Sequence, residues 1–329
     1  MRAVVFIAPG GPEVLSIGDA PTPQPAPGEL LVRVHAAGVN RADLLQRMGR
    51  YDPPPGASPI LGLEIAGEVV EPAGDWQVGD RVMAVVTGGG YAEYAVVPAD
   101  QAMSIPTMFS DTQAAAVPEA FLSAWLNLFT LGNLASGEHV LIHAAASGVG
   151  TAAVQLAKRA GAVVYATAGT PEKCAFVNEL GADVVVNYRE TPFADAVLQA
   201  TNGRGVDVVL DFIGAPYWND HMRVLATNGR LMLIGGMGGM TGQLELSAIL
   251  PKSLTIRGTT LRRMPAAQKV ALVSEFSTSA LPAFADDTLR PVIDSVYPLA
   301  EAAEAHRRMA ANANIGKIIL TVATSGVRA

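Results

Sequence analysis

Residues His139–Ala162, HVLIHAAASGVGTAAVQLAKRAGA, constrain the fold of this chain more than any other stretch. Val140, Leu141 and Ile142 form the short apolar run expected of a strand buried on both faces. A turn of small residues, Ala144-Ala145-Ala146-Ser147-Gly148-Val149-Gly150, follows at once. Val154, Leu156, Ala157 and Ala160 then supply one apolar helical face, and Gly161 supplies a stop. A strand that turns tightly into a helix leaves unpaired backbone N–H groups and the positive end of the helix dipole at one point, which makes an anion site. Alanines stand where the pattern G-x-G-x-x-G has its early glycines, so the turn alone also reads as a structural corner. The next strand, Val163–Thr167, runs into Ala168-Gly169-Thr170 and completes a βαβ unit, which favours a dinucleotide phosphate site.

The 329 residues exceed the usual single-domain length, so two domains are expected. Half of the residues are apolar and 16% are charged, as in a well-buried globular enzyme. A net charge of −7 provides no electrostatic footprint for nucleic acid. No apolar run reaches membrane-spanning length, and Met1–Ala8 lacks the flank and length of a signal peptide, so a cytoplasmic protein is expected. The single cysteine, Cys174, excludes an intramolecular disulfide and a thiolate zinc cluster.

The first third reads as short strands separated by glycine and proline turns: Arg2–Ile7, Glu29–Ala36, Leu63–Val70, Arg81–Val86, and a strand after Gly88-Gly89-Gly90. That pattern suggests a small barrel or sandwich. Gln113–Leu131 reads as a helix broken only by Pro118. Beyond the glycine-rich turn, strands at Val184–Asn187, Val206–Phe212 and Leu231–Ile234 alternate with helices at Pro171–Leu180, Phe193–Thr201 and Tyr217–Leu225, as in a doubly wound parallel sheet. Helices at Pro265–Thr278 and Ala300–Ala311 and a strand at Lys317–Val322 close the chain, and this segment is expected to return to the first domain.

Several motifs in order carry a family resemblance: Ala37-Gly38-Val39-Asn40-Arg41-Ala42-Asp43, Tyr51-Asp52-Pro53-Pro54-Pro55-Gly56, Gly62-Leu63-Glu64 and Val78-Gly79-Asp80-Arg81-Val82. Gly89-Gly90-Tyr91-Ala92-Glu93, His143-Ala144-Ala145 with Ser147-Gly148-Val149-Gly150, and Asn314-Ile315-Gly316-Lys317 continue it. The chain resembles the zinc-independent quinone oxidoreductases of the medium-chain dehydrogenase/reductase superfamily, relatives of zeta-crystallin, and most of all their stress-inducible branch. The resemblance implies an α/β fold in which a doubly wound Rossmann sheet is inserted into a chaperonin-10-like (GroES-like) β-barrel catalytic domain. The boundaries it suggests are a catalytic domain over 1–120 and 259–329 and an NADPH-binding domain over 121–258.

Zinc-dependent members take ligands from a cysteine in the segment equivalent to Gly38–Asp43 and from the histidine of Gly-His-Glu. Here the first segment has no cysteine and Leu63 stands in the histidine's place, so no metal is expected. Glu64, whose counterpart lies near that metal, is expected to pair with an arginine instead. At the end of the second Rossmann strand, where an acidic residue would select NAD, the chain has Ala168-Gly169-Thr170. Lys173 can offer a positive charge and Tyr188 a hydroxyl to a 2′-phosphate. The resemblance assigns NADPH contacts to Gly169, Lys173 and Tyr188, and phosphate contacts to the turn Ala146, Ser147, Gly148, Val149 and Gly150. Gly235 follows a strand where the nicotinamide is expected, and Asn314 is a further expected NADPH contact. Asp211 is read as a residue that orients its loop, with or without touching the cofactor, and Asp43 as fixing a loop or capping a helix that begins at Leu44.

Tyr51 and Asn40 are the candidate catalytic residues, placed to hydrogen-bond the acceptor oxygen or the nicotinamide ribose. An NADPH:quinone oxidoreductase is the activity expected, acting by hydride or one-electron transfer on ortho-quinones in particular. An enoyl or alkenal reductase and a non-catalytic NADPH-binding protein remain open. Family habit implies a homodimer, with tetramers among some relatives; an exposed Rossmann edge after Leu231–Ile234 offers a pairing surface.

Overall fold

The computed structural model describes residues 1–244 and 246–323. Backbone contacts divide the chain into two compact units, one formed by Met1–Leu122 with the chain from Leu261 onward, the other by Ser123–Thr260.

The first unit is a β-barrel. Its early strands are β1 (Arg2–Val5), β2 (Ser16–Asp19), β3 (Glu29–Val39), β4 (Glu64–Glu71), β5 (Arg81–Val85), β6 (Tyr94–Pro98) and β7 (Met103–Ser104). β3 is the spine. It is the longest strand and pairs antiparallel with both β4 and β6. Leu30, Val32, Val34 and Val39 of β3 are completely or almost completely buried and pack with Ile65, Val82 and Ile318. Each such side chain contributes about 1.5–3 kcal/mol by leaving water.

The second unit holds a six-stranded, wholly parallel sheet. Its strands are β8 (His139–Ile142), β9 (Val163–Ala168), β10 (Val184–Asn187), β11 (Val206–Asp211), β12 (Leu225–Leu233) and β13 (Thr255–Gly258). Their spatial order is β10-β9-β8-β11-β12-β13, a Rossmann sheet. The order reverses between β8 and β11, so the ligand crevice of such a sheet falls at the C-terminal ends of these two strands. The chain then re-enters the barrel with β14 (Ile293–Pro298) and β15 (Lys317–Thr321), and β15 pairs antiparallel with β3.

Two expectations change. Gln113–Leu131 is not one helix with a single break. A helical turn at Asp111–Ala114 precedes the helix Pro118–Trp125, and Leu126–Thr130 winds as a π-turn. The edge strand of the Rossmann sheet after Leu231–Ile234 is β13, which pairs alongside β12 and is largely exposed. The helix after Asn40 begins at Arg41 rather than Leu44, with Asp43 inside its first turn, where its Oδ2 accepts the Asn40 N–H at 2.8 Å.

Candidate functional site

In the Rossmann unit the glycine-rich turn is shaped by three local restraints. Ala144 adopts a left-handed backbone with φ of 46°, which reverses the chain directly after β8. The Ala145 N–H donates to the Thr167 carbonyl at 3.0 Å and ties the turn to the end of β9. Ser147 caps the helix Gly148–Arg159, its Oγ accepting the Gly150 N–H at 3.1 Å. Gly148 and Val149 then occupy the first helical positions, whose N–H groups have no intrahelical acceptor. Gly150 is required by packing, because a Cβ there would overlap the Ala144 carbonyl oxygen and lie 2.6 Å from the Ala145 Cα. The result is an N-terminus able to hold a pyrophosphate.

At the end of β9 the backbone of Gly169 passes under Tyr188, and a Cβ on Gly169 would meet the phenolic oxygen at 2.5 Å. Thr170 caps the following helix by accepting the Lys173 N–H at 3.2 Å, which sets Lys173 in its first turn. No carboxylate stands at 168–170. The donor set is a bare backbone, a hydroxyl and an ammonium. It suits a phosphate on the adenosine ribose and not the two-hydroxyl contact that an acidic residue makes.

The loops after β11 and β12 are zipped together. The Met237 and Gly238 N–H groups donate to the carbonyls of Phe212 and Ile213, each at 2.9 Å, and the Ala215 N–H donates to Gly239. Asp211 shapes this loop, as read from the sequence: its carboxylate accepts the N–H groups of Ile213 and Gly214 at 2.7 and 3.0 Å. Burial nevertheless raises its pKa to about 6, the two hydrogen bonds opposing the shift. Gly235 sits at the root of the loop, its N–H 3.3 Å from the Asp211 carbonyl. Beneath the sheet's C-terminal edge a buried relay links His143 Nδ1 to Thr167 Oγ1 at 2.9 Å and His143 Nε2 to His221 Nε2 at 3.0 Å. His221 Nδ1 lies 3.9 Å from Asp211 Oδ2. Both imidazoles are held neutral chiefly by burial, His221 with a pKa lowered to about 3.

In the barrel unit Asn40 is locked into a polar cluster. Its Nδ2 donates to Glu64 Oε1 at 2.9 Å and its Oδ1 accepts from Lys317 Nζ at 2.7 Å. Lys317 also donates to Glu64 and, at 3.0 Å, to the Val39 carbonyl. The partner of Glu64 is therefore a lysine from β15, not the arginine expected. The second Glu64 oxygen accepts the Glu119 N–H at 2.8 Å. Asp43, completely buried, accepts from the Gly62 N–H at 3.0 Å and the Tyr91 hydroxyl at 3.1 Å, and burial raises its pKa to about 6. Tyr51 lies under Arg262, whose guanidinium carbon is 5.3 Å from the ring centroid. Asn314 is turned onto its own loop, its Nδ2 donating to the Gly316 carbonyl at 2.8 Å. Among the described residues, no group of three or more His, Cys, Asp or Glu side chains is disposed to hold a metal ion.

Residues 26–107 match the alcohol dehydrogenase GroES-like domain family and residues 148–278 the zinc-binding dehydrogenase family. A quinone oxidoreductase of Sus scrofa is 33% identical over 97% of both chains. The chain belongs to the medium-chain dehydrogenase/reductase superfamily. Within the superfamily, its fold is similar to that of Escherichia coli quinone oxidoreductase complexed with NADPH, with a TM-score of 0.88, 30% identity, and coverage of 98% of this chain and 100% of that one. It is also similar to the CurK enoyl reductase, with a TM-score of 0.87, 29% identity and coverage of 98% and 99%. A mycocerosic acid synthase-like polyketide synthase of Mycobacterium tuberculosis is 35% identical over 97% of this chain, which spans only 15% of that protein's length.

Against this superfamily background, the turn 146–150 together with Gly169, Lys173, Tyr188 and Gly235 lies at the C-terminal edge of the Rossmann sheet, while Asn40, Tyr51 and Asn314 belong to the barrel unit. Sequence reasoning missed Arg262, Glu119 and the His143–His221 pair. Glu119 did leave a signal: it is the only charged residue between Asp111 and Glu138. The histidine pair left none, since its members are 78 residues apart.

Proposed function

We propose that this chain is an NADPH-dependent quinone oxidoreductase that acts without a metal, on ortho-quinones in particular, by hydride or one-electron transfer. The observation that carries the cofactor half is the end of β9, where Gly169 offers bare backbone beside the Tyr188 hydroxyl and a carboxylate is replaced by Ala168-Gly169-Thr170. Lys173 and Tyr188 would hold the 2′-phosphate, and the amides of Gly148 and Val149, with Ala146, Ser147 and Gly150, the pyrophosphate. Gly235 and the Asp211-braced loop would face the nicotinamide end, and Asn314 a further part of the cofactor. The reduced nicotinamide would supply the hydride. The chain has to orient the acceptor, exclude water and stabilise charge developing on oxygen, a task for Asn40 and Tyr51. Asn40, engaged at both ends by Glu64 and Lys317, is suited to present its amide in one fixed orientation.

Similarity to quinone oxidoreductases supports the quinone reading. Similarity to an enoyl reductase supports the alternative, reduction of enals or enones. Both acceptors take a hydride into an activated π-system. Initial rates with 9,10-phenanthrenequinone and 1,2-naphthoquinone against a series of alkenals test the choice. Higher kcat/KM for the quinones is expected, and a preference for the alkenals would overturn it.

A cytoplasmic homodimer completes the proposal. No helix among the described residues is long and apolar enough to cross a membrane. Met240, Leu246 and Leu250 are strongly exposed on the segment that leads into β13, the sheet edge, and would be covered by a second copy. Light scattering should return twice the monomer mass; a monomer at micromolar concentration would contradict it.

A further inference from the structure

A buried chain of polar groups crosses the Rossmann sheet where its strand order reverses. Thr167 stands near the end of β9, His143 directly follows β8 and Asp211 ends β11, while His221 reaches them from the helix Trp218–Val224. All four are fully buried, at 0% exposure. His143 Nδ1 lies 2.9 Å from Thr167 Oγ1, and its Nε2 lies 3.0 Å from His221 Nε2. The remaining nitrogen, His221 Nδ1, has no hydrogen-bond partner and faces Asp211 Oδ2 at 3.9 Å. A buried polar atom without a partner is costly, so what this nitrogen presents to the carboxyl decides how the whole chain is arranged.

Counting hydrogens leaves two arrangements. Burial keeps both imidazoles neutral, and a neutral imidazole carries one hydrogen on one of its two nitrogens. Where the two Nε2 atoms meet, one donates and the other accepts, which fixes both rings together. In the first arrangement the Thr167 hydroxyl donates to His143 Nδ1, His143 Nε2–H donates to His221 Nε2, and His221 Nδ1–H points at Asp211. In the second every donor is reversed, and His221 turns a lone pair on Asp211. A lone pair opposite a carboxylate in a dry interior is repelled, whereas an N–H is attracted, so the second arrangement requires a proton on Asp211. The surroundings of Asp211 favour the carboxylate: Oδ1 accepts the Ile213 N–H at 2.7 Å and Oδ2 the Gly214 N–H at 3.0 Å. Tyr217, in the turn that leads into the His221 helix, is a second titratable group beside Asp211. Burial first, then Tyr188, Asp211 and Asp220, raise its pKa to about 12, so it stays uncharged.

We propose that His143 and His221 are positioning residues for the cofactor loop, forming a one-way chain of donors that runs from the Thr167 hydroxyl through His143 Nε2–H and His221 Nδ1–H to the Asp211 carboxylate. Their role toward the cofactor rests on the reading of the Asp211 loop as the nicotinamide end, whereas the order of the donors is a property of the unliganded chain. The carboxylate at the end of the chain is the group that braces Ile213 and Gly214. At its other end, Thr167 also accepts the Ala145 N–H of the glycine-rich turn on its carbonyl, at 3.0 Å. The chain thus joins the loop after β11 to the turn that would hold the pyrophosphate. Uptake of one proton from solvent reverses it: Asp211 then donates to His221 Nδ1, His221 Nε2–H to His143 Nε2, and His143 Nδ1–H to Thr167 Oγ1. Each imidazole still carries one hydrogen, and the added proton resides on Asp211. An Oδ2 that carries a hydrogen is a poorer acceptor for the Gly214 N–H, so the brace loosens.

Long-range proton–nitrogen NMR of the full chain labelled with ¹⁵N-histidine reads the tautomers directly, without cofactor or turnover. At pH 8, His143 should carry its hydrogen on Nε2 and His221 on Nδ1, and both should exchange to the opposite nitrogen as the pH falls through about 6. Hydrogens on His143 Nδ1 and His221 Nε2 at pH 8, or tautomers that stay fixed down to pH 5, overturn the proposal. Titration calorimetry supplies the second readout. NADPH should bind the wild type about 10-fold more weakly below that midpoint, the loss of one hydrogen bond to a charged group. His221→Phe removes the N–H that faces the carboxylate and should move the midpoint up by about one pH unit. His221→Asn, whose shorter amide can place an N–H where Nδ1 stood, should bring it back. The ligand's own phosphate titration is common to all three proteins. The same midpoint in His221→Phe as in the wild type, with only thermal stability reduced, means that the pair merely fills space and overturns the proposal. A wild type that shows the expected tautomers but binds no NADPH at any pH overturns the cofactor reading, and with it the role toward the cofactor, while the order of donors stands.

Discussion

Replacing Lys317 with Met removes the cation from the Asn40–Glu64–Lys317 cluster at nearly constant volume. Lys317 is 4% exposed and Glu64 is fully buried, so the carboxylate left behind can reach neither water nor another cation in direct contact. Three hydrogen bonds vanish together, to Glu64, Asn40 and the Val39 carbonyl. Breaking a buried pair from one side costs about 3–5 kcal/mol, most of it the penalty of the stranded charge. At roughly 2–4 °C per kcal/mol for a unit of this size, the barrel's thermal transition should drop by about 6–20 °C. Glu64→Gln in the same chain removes the stranded charge, so the double variant should recover most of the loss. Urea unfolding of the wild type, both single variants and the double variant completes the thermodynamic cycle. A single variant within about 1 kcal/mol of wild type, or a double variant as unstable as the sum of the singles, would refute the claim that a lysine balances Glu64 here.

Three further outcomes are expected. Lys173→Ala should raise the KM for NADPH and leave that for NADH alone, measured by initial rates; equal effects on both would remove Lys173 from the phosphate site. Gly150→Ala should destabilise the Rossmann unit by about 1–3 kcal/mol or more, because the added methyl meets backbone atoms of Ala144 and Ala145 that cannot rotate away; unaltered denaturant stability would contradict the packing described. His306, buried between Tyr91 and Arg47, has a folded-state pKa lowered to about 3 from the ordinary imidazole value of about 6.5, chiefly by burial. Below 6.5 the unfolded chain takes up a proton that the folded chain refuses, so this residue's contribution to stability falls as pH falls. His306→Gln should therefore gain on the wild type by about 2 kcal/mol between pH 6.5 and 5, at about 1.4 kcal/mol per pH unit. No relative gain on acidification would show that His306 is protonated in the folded chain.

What could be read in the sequence was whatever is written locally. The apolar run Val140–Ile142, the small-residue turn and the amphipathic stretch after it specify strand, corner and helix within one short segment. The alternation of strands and helices that follows gives the parallel sheet. β13 escaped because Thr255–Gly258 lies at the sheet edge, largely exposed, with no buried run to mark it. β14 escaped for the same reason, its side chains intermediate or exposed throughout. The helix Gln113–Leu131 was over-read because the composition on both sides of Pro118 is apolar and helix-compatible, so nothing but the proline signals a break, and nothing signals the π-turn after Trp125. The polar clusters escaped for a different reason. Glu64 meets Lys317 across 253 residues, and Arg262 meets Thr87 across 175; only the closing of the barrel brings them together. Asp211 was legible because its partners, Ile213 and Gly214, are two and three residues away.

The central claim is that the end of β9 selects NADPH. Titration calorimetry of the full chain with NADPH and with NADH measures it without reference to any substrate. Two charge-assisted contacts to the 2′-phosphate, from Lys173 and Tyr188, at about 1.5 kcal/mol each, predict NADPH binding on the order of 100-fold tighter than NADH. Equal dissociation constants for the two, or tighter binding of NADH, would contradict the account.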